Sequence, residues 1–260
     1  MLAAQDNGPA AYGRMAKKRF AAIDIGTNTI LLLIAELKGD GTFSVLDDRA
    51  EITRLGERVD HTRLISAAAE ARSIAALRDY IERCRSLGVS EIVAVGTSAL
   101  RDARNAAVFG DRLRRELALE IRVLSAEEEA AYSYLAVQRG LGLEANEVLV
   151  VDVGGGSTEF IWGKGGRLHR WASLDLGSVR LTERYLPSDP VTEEECKRLE
   201  AVIDRELDAL LRDWGARPAF SALVGIAGTF TSMAAVEKGL MVYSHSEVHG
   251  SRLRGGEVQR

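Results

Sequence analysis

One pattern occurs twice in this chain. Asp24-Ile25-Gly26-Thr27-Asn28-Thr29 and Asp152-Val153-Gly154-Gly155-Gly156-Ser157 both read aspartate, aliphatic, glycine, two residues, hydroxyl, and they begin 128 positions apart. Each copy sits between two apolar runs, residues 20–25 and 30–37 in the first case and 148–153 and 158–163 in the second. A repeat of this kind implies two similar lobes, each carrying an acidic strand end and a glycine turn. Two such lobes would set the turns face to face across a cleft. The spacing therefore predicts a two-lobed phosphate site.

The rest of the chain reads as alternating strands and helices, which predicts α/β architecture. Residues 20–25 and 30–37 are expected to form a hairpin of two buried strands. Ser66 caps a helix with Ile74, Leu77, Ile81 and Cys84 on one face, closed by Gly88. A strand over 92–96, a helical face of Phe109, Leu113 and Leu117, and a strand over 121–124 follow. Ser125 starts a helix running to Gly140. Beyond the second turn come a strand over 168–174 and a helix opened by the Thr192/Glu195 capping box. That helix presents Cys196, Leu199, Ile203, Leu207, Leu210 and Trp214 on one side. A strand over 221–226, a turn at Gly228-Thr229 and a helix over 230–238 complete the reading. The expected division is an extension over 1–18 that is disordered, an N-terminal lobe over 19–135 and a C-terminal lobe over 136–260. Met15 is a candidate start, standing just ahead of the first strand.

Composition narrows the function classes. A formal net charge of −4 makes the chain a poor non-specific binder of nucleic acid, so a polyanion must be held locally. The longest apolar run, 30–35, falls far short of the ~20 residues of a membrane span. The N-terminal segment has no apolar signal-peptide core. The two cysteines, Cys84 and Cys196, both fall on helical stripes and read as core thiols of a reducing, cytoplasmic compartment.

A glycine turn lets backbone N–H groups meet a phosphate without side chains in the way. Gly26, Thr27 and Asn28 in one copy and Gly154, Gly155, Gly156, Ser157 and Thr158 in the other are the expected donors. Asp24 and Asp152, at the strand ends, suit a divalent cation, and Glu159 just past the second turn suits the same cation or a nucleophilic water. In Ser125-Ala126-Glu127-Glu128-Glu129, Glu128 belongs to a capping box. Glu129 lies about 100° further round the helix and becomes a base candidate if the cleft adjoins this helix. Four acids facing a polyphosphate would repel it unless a cation stands between them. Arg101, following a strand, could grip phosphate oxygens bidentately; Arg54 is a weaker candidate. Gly228-Thr229 offers a helix start to an anion. His245 and His249 do not fit the spacing of a zinc-protease motif.

These residues resemble the Ppx/GppA phosphatase family, the exopolyphosphatases and guanosine pentaphosphate phosphohydrolases. The resemblance rests on residues 22–29, Arg54-Leu55-Gly56, Gly96 to Arg101, Ser125 to Ala130, Val151 to Glu159 and Gly228-Thr229, in that order. It implies a two-lobed actin-like (acetate and sugar kinase/actin) fold with an inter-lobe cleft. It also implies that Glu129 is the catalytic glutamate, with Asp152 and Glu159 as further catalytic acids, and that Mg²⁺ (or Mn²⁺) is held near Asp24, Asp152 and Glu159. Family members usually continue with further C-terminal helices, so the second lobe is expected to be shortened.

The leading expectation is removal of terminal orthophosphate from inorganic polyphosphate by metal-assisted attack of water. Guanosine pentaphosphate is the alternative substrate, and a non-catalytic phosphate or alarmone sensor is the alternative of another class. A sugar kinase is disfavoured by the short length. A homodimer is expected, with neither a nucleic-acid polymer nor a membrane as partner.

Overall fold

The computed structural model describes residues 18–143, 146–215 and 220–258. The expected N-terminal extension lies outside the described residues, apart from Lys18.

β1 (Arg19–Ile25) and β2 (Thr29–Leu37) form an antiparallel hairpin around the first glycine turn, with Ile25 opposite Ile30. β3 (Phe43–Ile52) pairs with the outer edge of β2. Next in the chain are α1 (Val59–Thr62), α2 (Ala67–Ser86), β4 (Glu91–Gly96), α3 (Ser98–Asp102), α4 (Ala106–Leu117) and β5 (Ile121–Val123). β4 returns parallel to β1, giving the order β3-β2-β1-β4-β5. α5 (Ala126–Gly140) leads to β6 (Glu147–Val153), β7 (Thr158–Lys164) and β8 (Arg167–Leu174). α6 (Ser178–Tyr185), α7 (Glu193–Trp214), β9 (Ala222–Ile226), α8 (Ala227–Glu237), α9 (His245–Val248) and α10 (Gly255–Val258) complete the series. The second sheet runs β8-β7-β6-β9, with β9 parallel to β6. The two sheets thus share one plan: a hairpin, an antiparallel strand outside it and a parallel strand inside. The sequence repeat is a structural one.

Local signals explain the helices. Ser66 Oγ accepts the Ala69 amide at 3.2 Å to open α2, and Gly88, with φ of 62°, follows its last turn. Leu77, Ile81 and Cys84 of α2 and Phe109, Leu113 and Leu117 of α4 pack with Ile23, Ile25, Ile30, Leu32 and Ile34 into one core. A second core joins Ala130, Tyr134 and Val137 of α5 to Val148, Val150 and Ile161. The division expected between 135 and 136 therefore falls inside a helix whose apolar face lies entirely on the second sheet.

Several expectations are corrected. β2 is not buried on both faces: Leu31 and Leu33 are exposed while Ile30, Leu32 and Ile34 are fully buried. Side chains alternate along a strand, and α2 and α4 cover the face that carries the isoleucines. Cys196 is exposed, whereas Cys84 is buried. Cys196 stands in the first turn of α7, and only the far end of that stripe, at Leu210 and Trp214, is buried. Gly228 and Thr229 are within the first turn of α8 rather than ahead of it. β3 and α6 carry no expectation from sequence. The run Asp47-Asp48-Arg49 breaks the apolar alternation of β3, an exposed edge strand.

Candidate active site

Both glycine turns are built alike. The Gly26 amide donates to Thr29 O at 3.1 Å, and the Gly154 amide donates to Ser157 O at 3.0 Å. Each turn is also held from behind by its carbonyls. Asn28 O accepts the Thr53 and Arg54 amides at 3.0 and 2.9 Å, and Thr27 O accepts the Gly56 amide at 2.8 Å. In the second lobe, Gly154 O accepts the Ser178 amide, and Gly155 O accepts those of Val179 and Arg180, at 2.9–3.1 Å. The amides of Thr27, Asn28, Gly155, Gly156 and Ser157 donate to no acceptor among the described residues. Two rims of unpaired N–H groups suit an anion.

The turns meet closely. A β-carbon on Gly155 would stand 3.1 Å from Thr27 Cβ and 3.3 Å from Asn28 Cβ, and one on Gly156 would overlap Ser98 Oγ. The lobes therefore touch at Gly155 and Gly156. An anion held by both turns must sit beside this contact, because the space between Gly155 and Thr27 is filled.

Four acids gather at the same place. Asp152 and Glu159 are direct cross-strand partners on β6 and β7. Glu159 is 1% exposed and accepts from Ser173 Oγ at 2.8 Å; Ser173 is its partner on β8. Asp152 accepts from Ser133 Oγ at 2.9 Å. Asp24 keeps one buried carboxylate oxygen, Oδ1, with no partner. Burial, reinforced by the nearby Glu129 and Asp152 charges, pushes Asp24 up to about 6. Burial outweighs the Ser133 bond to bring Asp152 to about 6, and burial with the Glu129 charge brings Glu159 to about 7. Glu129 is thus the common neighbour of all three. That meets the condition under which it becomes a base candidate.

Glu128 and Glu129 divide as their helical positions require. Ser125 and Glu128 form the reciprocal capping box, and Glu128 also pairs with Arg122. Glu129 points the other way, its Oε2 2.5 Å from Arg101 Nη1.

The remaining sites differ from expectation in detail. Arg101 is an ion-pair partner of Glu129 and donates to Leu124 O, leaving Nε and Nη2 for a ligand. The Thr158 hydroxyl donates to Leu176 O at 2.7 Å, and the buried Ser157 hydroxyl is turned toward Glu159. The Thr229 hydroxyl donates to Val153 O at 3.2 Å and so props the strand end beneath the cradle. Gly228, beside it, is exposed with open space around it. Arg54, exposed with φ of 51°, borders the first turn through its amide bond to Asn28 O. His245 and His249 stack on each other at 5.3 Å. Ser133, Ser173 and Arg180 went unnoticed in sequence, since each matters only through a partner on another element.

The acids fit a hard divalent cation. All are oxygen donors, and the orphaned Asp24 Oδ1 lacks the partner that such an ion would be. No three metal-ligating side chains converge among the described residues. Mg²⁺ does not require that, since it takes one or two carboxylates and completes its shell with water and phosphate oxygens.

The model of the Ppx/GppA phosphatase family matches residues 33–256. The chain belongs to that family. As a Ppx/GppA phosphatase it is an enzyme of the phosphoanhydride-hydrolase class. This Ppx/GppA chain is 36% identical over 252 residues to exopolyphosphatase 2 of Mycobacterium tuberculosis, covering 94% of this chain and 78% of that protein. It shares 38% identity and a TM-score of 0.74 with the Aquifex aeolicus family member, over 93% of this chain and 76% of that one. An exopolyphosphatase from Cytophaga hutchinsonii matches at 28% identity and a TM-score of 0.78, over 86% and 72%. The doubled sheet plan is the two-lobed actin-like α/β fold. No described helix is long and apolar enough to cross a membrane.

Proposed function

We propose that this chain releases orthophosphate from the end of inorganic polyphosphate, with Glu129 as general base. The observation that carries the reading is the position of Glu129, beside Asp24, Asp152 and Glu159 and next to two turns with unpaired amides. Its side chain is 17% exposed, so water reaches it, whereas Glu159 is sealed in. The amides of Thr27, Asn28, Gly155, Gly156 and Ser157 hold the oxygens of the terminal phosphate. Arg101 keeps the Glu129 carboxylate aimed and turns its other N–H groups to the same phosphate. Glu129 takes a proton from water as the water oxygen bonds to the terminal phosphorus. The bridging P–O bond breaks, and its electron pair leaves with the shortened chain. Mg²⁺ or Mn²⁺, held by one or two carboxylates of the group Asp24, Asp152 and Glu159 with water and phosphate oxygens completing its shell, would supply positive charge to offset that of the phosphates.

The similarity to exopolyphosphatases of M. tuberculosis and C. hutchinsonii supports polyphosphate over guanosine pentaphosphate. The test is phosphate release from polyphosphate, guanosine pentaphosphate and ATP by the wild type and Glu129→Gln. Turnover of polyphosphate, lost in the variant, is expected. Preference for guanosine pentaphosphate would change the substrate, and binding without turnover would make the chain a sensor. A homodimer, a cytoplasmic location and a division of the chain into two lobes complete the proposal.

A further inference from the structure

Arg180 is a buried cation that the reaction as described leaves without a task. Its side chain is 4% exposed; a backbone carbonyl and two carboxylates accept from it, and Asp175 Oδ1 lies 3.6 Å from Nη2. Nε donates to Gly156 O at 2.7 Å, Nη1 to Asp60 Oδ1, and Nη2 to Asp102 Oδ2 at 2.5 Å. Gly156 belongs to the glycine turn of the second lobe. Asp60 is on α1 and Asp102 ends α3, both in the first lobe. One planar guanidinium therefore joins the cradle of one lobe to two carboxylates of the other. Asp102 also directly follows Arg101, the partner of Glu129.

We propose that Arg180 is a positioning residue that holds the second glycine turn in register with the Arg101–Glu129 pair. This rests on the assignment of those groups to the reaction. The backbone supports it independently. The opening amides of α6, which an isolated helix leaves unsatisfied, are spent on the carbonyls of Gly154 and Gly155. Their carbonyls taken, the turn residues direct their amides elsewhere. Gly177, the N-cap of α6, lies so close that a β-carbon there would overlap the backbone of Gly155 and Gly156. The start of α6 and the cradle thus move as one piece. The Arg180 side chain fixes that piece to the first lobe, with Arg184 adding a second bond to Asp60. An arginine is needed because its rigid fork meets three acceptors in different directions, which an ammonium on a flexible stem does not.

Displacing a reacting group by about 1 Å costs on the order of 10²-fold in rate, so a loosened clasp should be visible in turnover. The experiment compares the wild type, Arg180→Lys, Asp102→Asn and the double variant for kcat and KM on polyphosphate, for orthophosphate Kd and for Tm. Arg180→Lys is expected to lower kcat at least ~10-fold and weaken orthophosphate binding. Asp102→Asn should lower kcat less, because Asp60 still holds Arg180. The double variant should be no slower than Arg180→Lys alone, because the two residues act through one contact. Wild-type kcat and orthophosphate affinity in a folded Arg180→Lys, with only Tm reduced, would overturn the proposal. If Arg180→Lys does not fold, Asp102→Asn decides: reduced kcat near wild-type Tm supports the clasp, and unchanged kcat overturns it. Should the wild type release no phosphate from polyphosphate, the proposed activity fails instead. The orthophosphate comparison then still decides the role of Arg180, and a wild type that binds no orthophosphate removes the cradle and this proposal with it.

Discussion

Arg101 Nη1 stands 2.5 Å from Glu129 Oε2 and also donates to Leu124 O at 3.1 Å. α3 and α5 are thereby tied together at the point where the two lobes meet. The pair fixes one carboxylate oxygen and leaves Oε1 without a hydrogen-bond donor among the described residues. That oxygen is the one a water would face. Two groups that sequence suggests for separate tasks, gripping phosphate and taking a proton, form one unit.

Glu129→Gln keeps the size of the side chain and can still accept from Arg101, but it cannot take a proton. We expect kcat to fall at least ~10²-fold, the usual scale for loss of a general base. Tm should change little, because the loss of the charged pair with Arg101 is offset by relief of the repulsion that Glu129 exerts on Asp24, Asp152 and Glu159. Glu128→Gln preserves the capping box and should leave most activity. Steady-state phosphate release with a melting curve checks both, and equal losses in the two variants would refute the division.

Gly155→Ala places a methyl group 3.1–3.3 Å from Thr27 and Asn28, tight enough to part the turns by a few tenths of an ångström. Orthophosphate affinity should fall, with a stability loss below the ~2–5 kcal/mol of a core truncation. Gly156→Ala should be worse, because its methyl would overlap Ser98 Oγ. Calorimetric phosphate titration beside urea unfolding separates the effects. Normal phosphate binding in a folded Gly155→Ala would make the turns plain hairpins.

Asp24, Asp152 and Glu159 carry raised pKa values, so the native state holds their protons more tightly than the unfolded chain. The stability this gives is full below the unfolded values near 4 and is lost as pH rises through about 6 to 7. In metal-free buffer, Glu159→Gln should therefore raise Tm at pH 8 relative to wild type and leave it nearly unchanged at pH 5 if the Ser173 bond is kept. A gain equal at both pH values would show that charge is not the cause.

Divalent cation should act in the opposite sense. Excess chelator is expected to abolish phosphate release, and Mg²⁺ or Mn²⁺ to restore it. The same ions should raise Tm more at pH 8 than at pH 5.5, because protons compete for the carboxylates. Full turnover in chelator would exclude the cation.

Cys84 is buried, its thiol pushed up chiefly by burial, whereas Cys196 is exposed. A chromogenic thiol reagent should titrate one thiol in the native protein and two after denaturation. Labelling located by peptide mapping should fall on Cys196.

The sequence by itself determined the doubled plan, the hairpins around the glycine turns, the caps at Ser66, Ser125 and Thr192, and the separation of Glu128 from Glu129. Each depends on neighbours a few residues away: a turn that needs glycine, a hydroxyl that caps the third amide, an apolar period of two or 3.6. Tertiary structure decided which acids are sealed and which are wet, that the turns touch at Gly155, and that Cys196 faces water. It also decided where hydroxyls and cations are spent. Thr158 looks like a phosphate donor until β7 places it under Leu176 O, 18 residues on. Arg180 carries no signal in the sequence, and folding alone brings it to Asp60, 120 residues away. A buried polar group takes the partner that packing puts beside it, and that choice is made between elements whose separation along the chain carries no local signal.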